Sequence, residues 1–362
     1  MLRPTGRTPT AEVCPTMRRI RTTLLAGAVL ALVLVAAACG GDDDDSAGAA
    51  STGAEASGPA ITIGYSAWPG WFPLKVAEEK GLFDAAGVDV ELRYFTDYIA
   101  SLDAFAAGQI DGNTQTLNDT IPGVAAGSPA SIVVNTDFSA GNDAIIVDSG
   151  IGSIEDLKGR TVAAEPGVVD HFLLLQGLES VGLSEEDVDF RGAPTAAAAA
   201  GFAAGQFDAV GVFAPFTIEA LKRKGSKVLF DSADFPGSIS DHIVLQSDLV
   251  AERPDDVQKI VDAWYATLAW IEANPDEATA IMAKQAGITP AEYESFAAGT
   301  KILSAADASA AFVDDAKPTS LPATARKINP FLVSSGLTRE EADLTDIFAP
   351  SFTQAYLDGG GS

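Results

Sequence analysis

The chain has 362 residues, enough for two domains that each bury a core, and 47% of them are hydrophobic, as a globular protein requires. Lys and Arg number 23 against 50 Asp and Glu, a formal charge of −27. Such a surface repels phosphate backbones and excludes nucleic acid as a natural partner, but it does not report the charge of a small ligand.

The first 38 residues carry five Arg and one Glu. Arg18-Arg19-Ile20-Arg21 reads as a basic n-region, Leu24 to Val35 as an apolar h-region, and Ala36-Ala37-Ala38-Cys39 as a small-residue cleavage site that ends on a cysteine. This pattern predicts a secretory leader over residues 1–38, with Met17 an alternative start. The cleavage site resembles a bacterial lipobox, although Ala36 stands where that motif usually has Leu. The resemblance implies an acylated Cys39 that anchors the chain to the extracellular face of the cell membrane. Residues 40–59 are Gly, Ala, Ser, Asp, Thr, Glu and Pro, with four aspartates in a row, so 39–59 reads as the acylated cysteine and a solvated tether.

From Ala60 short apolar runs alternate with helical ones, which predicts an α/β fold with mostly parallel sheets. Strands are expected over 60–65, 88–95 and from Ile110, and helices from Phe72 to Gly81 and over 98–107. The same grammar returns, with strands over 160–164 and 187–190 and helices over 169–181 and 196–204. Phe105-Ala106-Ala107-Gly108-Gln109-Ile110-Asp111 recurs as Phe202-Ala203-Ala204-Gly205-Gln206-Phe207-Asp208, and Pro69-Gly70 recurs at the same spacing as Pro166-Gly167. A repeat of this kind predicts two similar βαβαβ lobes. After strands near 228–230 and 242–245 the pattern turns almost wholly helical, over 254–272, 275–286, 291–300, 323–333 and 351–357. A helical tail needs a surface to pack on. The expected division is therefore 60–141 plus 239–362 as lobe 1 and 142–238 as an inserted lobe 2, joined by a two-segment hinge that permits closure.

Gly64-Tyr65-Ser66-Ala67-Trp68-Pro69-Gly70, Ala77-Glu78-Glu79-Lys80-Gly81-Leu82-Phe83, Gly87-Val88-Asp89-Val90-Glu91-Leu92 and Asp156-Leu157-Lys158-Gly159-Arg160-Thr161-Val162-Ala163 together resemble the nitrate/sulfonate/taurine-type solute-binding proteins, which include thiamine-pyrimidine-like members. The likeness spans roughly residues 60–275. It implies the type II periplasmic-binding-protein fold, a small-molecule ligand, and an ABC permease with its ATPase as partners. No cofactor and no metal site is expected, and the receptor is expected to act as a monomer.

In open α/β sheets ligands bind where the carboxyl ends of strands lead into helix N-termini. The candidates on lobe 1 are Trp68, Trp71, Asp97, Tyr98, Thr114, Thr116 and Asn118. On lobe 2 they are Val168, Asp170, His171, Phe213 and Phe216, and the crossings add Ser139, Asn142, Asp143 and Asp241. These loops hold no Lys or Arg. Aromatics with aspartates suit a cationic, zwitterionic or neutral heterocyclic ligand. The alternative is a small anion such as a sulfonate or nitrate, received by helix N-terminal N–H groups and hydroxyls.

Each candidate also has a structural reading. Asp at a helix start is often a cap, buried aromatics are often core, and Trp264, Tyr265 and Trp270 at helical spacing read as core. Two His, no Gly-x-Ser-x-Gly and no Cys/His cluster leave little for an enzyme, and no catalytic residue is expected. A sensory receptor of the same fold is a further alternative.

Overall fold

The computed structural model describes residues 58–361; the leader, Cys39 and the tether up to residue 57 lie outside the described residues. The first half begins with β1 (Ile61–Tyr65), α1 (Pro73–Glu79), α2 (Leu82–Ala86), β2 (Val90–Tyr94), α3 (Tyr98–Ala106), β3 (Gly112–Thr116) and α4 (Leu117–Ala125). The long β4 (Ala130–Ser139) runs into β5 (Asp143–Val147) with three residues between them. Next come β6 (Thr161–Ala164), α5 (Val169–Ser180), β7 (Asp189–Gly192), α6 (Thr195–Ala203), β8 (Ala209–Phe213), α7 (Phe216–Ala220) and β9 (Lys227–Asp231). The chain returns through β10 (Ser240–Gln246) to α8 (Ser247–Glu252), α9 (Pro254–Ala273), α10 (Pro275–Ala286), α11 (Pro290–Ala297), β11 (Thr300–Ile302), α12 (Ala305–Ala311), α13 (Leu321–Ser334) and α14 (Ser351–Asp358).

The strands form two sheets, ordered β11-β4-β10-β3-β1-β2 and β7-β6-β8-β5-β9. The chain passes between them twice, from β4 to β5 and from β9 to β10. The architecture is α/β with two lobes, and the sheets are mixed. β1 pairs in parallel with β2 and β3, and β6 with β7 and β8, while every strand-to-strand pairing of β4, β5, β9, β10 and β11 is antiparallel, a lone parallel bridge from Ile132 to Phe348 aside. The expectation of mostly parallel sheets holds for the βαβαβ halves. It does not extend to the crossing strands, which reach each sheet from the other lobe and need no helix to reverse direction.

The sequence repeat has a structural counterpart. α3 and α6 occupy the same place in their lobes, each followed by a Gly with positive φ, Gly108 at 64° and Gly205 at 80°. A side chain would be strained at either turn. Beyond each turn an aspartate ties down the first strand of its βαβαβ half: Asp111 Oδ2 accepts from Thr62 N–H at 2.8 Å, and Asp208 Oδ2 accepts from Thr161 N–H at 3.0 Å.

The helical tail packs on the first sheet's lobe, α9 against α1 and α2, α12 and α14 against β4, and α13 against α4. α9 starts on Pro254 with Asp255 and Asp256 in its first turn, a favourable opening for a helix dipole, and it buries Trp264 and Tyr265. β11, only three residues long, adds an edge strand within this tail.

Candidate functional site

Two adjoining cavities lie between the sheets and share Ala67, Tyr98 and Phe213. The half-open one, of about 80 Å³, is lined by Ser66, Ala67, Thr96, Asp97, Tyr98 and Phe213, with Glu165, Pro194, Thr195, Ala196 and Phe216 from the second lobe. The inner one, of about 10 Å³, is lined by Trp68, Trp71, Tyr98, Thr116, Asp143, Val169, Phe213 and Asp241. Both walls are aromatic and acidic, and neither includes a Lys or Arg.

The loop after β1 is locked from beneath by Asp137, a carboxylate on β4. Asp137 Oδ1 accepts from the Trp68 indole N–H at 2.9 Å, and its Oδ2 accepts from Thr136 Oγ1–H at 2.8 Å. Gly70 is required here because a Cβ would come within 1.8 Å of Asp137 Oδ2. Trp68 and Trp71 are thereby held with ring centroids 6.2 Å apart, and Trp71 lies 5.4 Å from Tyr98. Tyr98 meets Phe213 of the other lobe at 6.2 Å, edge to face.

Tyr98 is fixed by its hydroxyl, which donates to Asp119 Oδ2 at 2.8 Å and accepts from Thr116 N–H at 3.2 Å. Thr116 caps α4, with its hydroxyl donating to Asp119 Oδ2 at 2.8 Å and accepting from Asp119 N–H. Asn118 faces the same carboxylate, Nδ2 donating to Oδ1 at 3.0 Å. Burial raises the Asp119 pKa to about 7, against these donors, which lower it. On the second lobe Glu165 Oε2 accepts from Thr195 N–H at 3.1 Å, at the start of α6.

The carboxyls at the inner cavity are burdened in the same way. Burial pushes Asp143 up to about 7, with the Ser139 hydroxyl lowering it and Asp137 raising it. Asp137 goes up to about 6, again by burial. Asp241 goes well above the usual carboxylate range through burial and then the charge of Asp137.

Of the sequence candidates, Trp68, Trp71, Asp97, Tyr98, Thr116, Asp143, Phe213, Phe216 and Asp241 come together at these cavities. The others line neither. Thr114 lies two residues deeper on β3, and Asn118 braces Asp119. Ser139 and Asn142 serve the crossing: Ser139 Oγ meets Ser232 Oγ at 2.7 Å, and Asn142 Nδ2 donates to Phe296 O and Thr300 Oγ1, both at 2.7 Å. Val168 is buried just before α5, where its neighbour Val169 reaches the cavity instead. Asp170 turns into lobe 2 and accepts from Glu165 N–H and His171 N–H, both at 3.0 Å. His171 accepts from Gly167 N–H at Nδ1, which makes Nε2–H the donor to Glu185 at 2.6 Å, and it stacks on Phe190 at 4.4 Å. Both helix-start polar residues are thus spent on the fold. Ser66, Ala67, Thr96, Asp137, Glu165, Val169 and Thr195 were not singled out by sequence. Thr195 had a signal, since it follows Tyr98 by the repeat spacing of 97 residues.

The family model described as NMT1/THI5 like matches residues 68–278. A chain of Brucella abortus named as a binding protein is 27% identical over 257 residues, covering 67% of this chain and 76% of that one. An Escherichia coli chain named as an aliphatic sulfonates-binding protein is 27% identical over 243 residues, covering 65% and 74%. Among solved structures, the periplasmic aliphatic sulphonate binding protein SsuA of Escherichia coli is similar with a TM-score of 0.67 at 22% identity, covering 80% of this chain and 98% of that one.

Proposed function

The chain belongs to the NMT1/THI5-like family, and from that premise we propose that it is the extracytoplasmic solute-binding receptor of an ABC importer. The observation that carries the reading is a cavity lined from both of two lobes, with the chain crossing between the lobes twice beside it. Closure of such lobes over a solute buries it and creates the surface that a permease distinguishes from the empty form. A lipid on Cys39 would hold this receptor at the membrane, with permease and ATPase as its partners. The relatives named above are binding proteins, which speaks for a receptor rather than an enzyme on this fold.

For the solute, the relatives support the anionic alternative better than the cationic or heterocyclic ligand expected from the loops: the names that state a solute state aliphatic sulfonates. The cavities add one constraint. An anion here has no Lys or Arg for a counter-charge and depends on N–H groups, hydroxyls and protonated carboxyls.

The reading is tested by thermal shift of the purified chain against alkanesulfonates, nitrate, amines, amino acids and pyrimidines. A solute at 100 times its Kd adds about 2.7 kcal/mol, a rise of several degrees in Tm. At least one class is expected to shift the protein. A chain indifferent to all of them, with an unchanged radius of gyration in their presence, is not a receptor for solutes of these classes.

A further inference from the structure

Asp143 is the group in the inner cavity that the fold leaves unexplained. It lies on β5 where the chain has just entered the second lobe, is 1% exposed, and neither carboxylate oxygen is within hydrogen-bond geometry of a donor; the nearby Ser139 hydroxyl, which lowers its pKa, meets Ser232 Oγ at 2.7 Å. Across the cavity Asp241, on β10 of the other lobe, is also 1% exposed and leaves Oδ2 without a partner. Buried carboxyl oxygens without donors are rare because each forfeits its hydration for nothing. Two of them on one small cavity, from opposite lobes, mark a place where a donor is brought in from outside.

The surroundings say what kind of donor. The other titratable groups acting on or near the cavity carboxyls are Asp137 on β4, Asp119 on α4, Asp231 at the end of β9 and Asp170 on α5, all carboxyls, and Tyr98 on α3, whose hydroxyl is already committed to Asp119. No Lys or Arg lines the space. Its walls are the rings of Trp68, Trp71, Tyr98 and Phe213. Aromatic faces and carboxylates both attract positive charge, and low polarity around them strengthens the attraction. A sulfonate placed here would bring three acceptor oxygens to a cavity whose one unpartnered side-chain N–H is the Trp71 indole, since the Thr116 hydroxyl is spent on Asp119.

We propose that the inner cavity seats a primary ammonium group at one end of the solute, with Asp143 as its ion partner, Asp241 as a second acceptor, and the four rings as walls. This rests on the receptor reading and deepens it. Size chooses among cations: the space of about 10 Å³ admits a water-sized group, which fits an ammonium and not a quaternary or bulky heterocyclic head. The rest of the solute lies in the adjoining cavity of about 80 Å³, and the indole N–H of Trp71 is left for an acceptor on that remainder. A sulfonate or carboxylate at the far end is therefore compatible with an ammonium at the near one.

The test is calorimetric titration of the full chain with butylamine, butan-1-ol and butane-1-sulfonate at about pH 8, where an alkylamine is charged and Asp143 is free to ionise. The amine is expected to bind at least ~10-fold more tightly than either companion, as one desolvated charge pair permits. Asp143→Asn, which keeps the shape and removes the charge, should weaken the amine ~30-fold or more and change the alcohol by less than ~3-fold. Asp241→Asn provides the same reading if the first variant folds poorly, with a smaller loss. Equal or tighter binding of the sulfonate, or an amine affinity untouched in both variants, overturns the ammonium seat. A sulfonate response without an amine response does so while leaving the receptor reading intact; silence to all three and to the wider panel removes both.

Discussion

At the scale of single residues, the cavity stores an electrostatic cost that pH can expose. Burial raises Asp119 and Asp143 to about 7 and Asp137 to about 6, and lifts Asp170 and Asp241 well above the carboxylate range. A carboxyl with a raised folded pKa keeps its proton in the native state after the unfolded chain has lost it. Stability therefore falls as pH climbs from the unfolded value, about 4, through the folded one. His242, fully buried and held down to about 3, and His171, also lowered by burial, act oppositely, and their gain is complete once pH passes about 6.5. Above that point the raised carboxyls still titrate against no histidine. The ligand-free protein is expected to lose Tm between about pH 6.5 and 8, and Asp143→Asn to flatten that slope and raise Tm at the upper end. Scanning calorimetry of both proteins across this range checks it; parallel slopes would show that Asp143 does not hold the proton.

At the scale of elements, the two lobes reuse one device, and its removal should cost the same in either. Asp208 satisfies the Thr161 N–H at the start of β6, as Asp111 satisfies Thr62 in β1. Asp208→Ala strands that donor and is expected to lower stability by about 1–3 kcal/mol, with Asp111→Ala in the same range; urea midpoints measure both. The repeat that carries these aspartates was legible because Phe, Gly and Asp recur in register, and the strand–helix alternation located most elements to within two residues. The short elements α2, α8, α12 and β11 were not legible, since three to seven residues hold too little periodicity to read, and β4, β5, β8 and α4, buried strands and a helix without a clean alternation, were left unassigned as well. The cavity lining was legible where a side chain stands at or just beyond a strand end, as with Trp68, Tyr98, Asp143 and Phe213. It was misread at α5, because each helical step turns a side chain by about 100° and sequence does not give the phase. Val169 therefore meets the cavity while Asp170 and His171 turn into the lobe. Asp137 was missed although it sits within a run of buried strand residues, where a lone carboxylate signals a bonded partner; Trp68, 69 residues upstream, is that partner.

At the scale of the whole molecule, the two lobes touch on both sides of the crossing strands. At the cavity the contact is Tyr98 against Phe213; on the other helices it is Phe172 of α5 against Phe331 of α13, ring to ring at 5.5 Å and perpendicular. The second contact joins the inserted lobe to the helical tail and includes no residue of the two cavities between the sheets, so in a receptor that closes on its solute it would bear on closure without touching the solute. An aromatic pair of this kind contributes about 0.5–1.5 kcal/mol beyond its buried area, a factor of roughly 2 to 12 in that balance. Phe331→Ala should accordingly populate the open form. The radius of gyration of the ligand-free protein is expected to rise, and any solute that binds the closed form should bind more weakly by no more than the same factor. Small-angle scattering together with titration of whichever solute shifts the protein reads both quantities. A loss of affinity with no change in scattering would place the effect in local packing of α5, and with it in Val169 at the cavity wall, rather than in closure of the lobes.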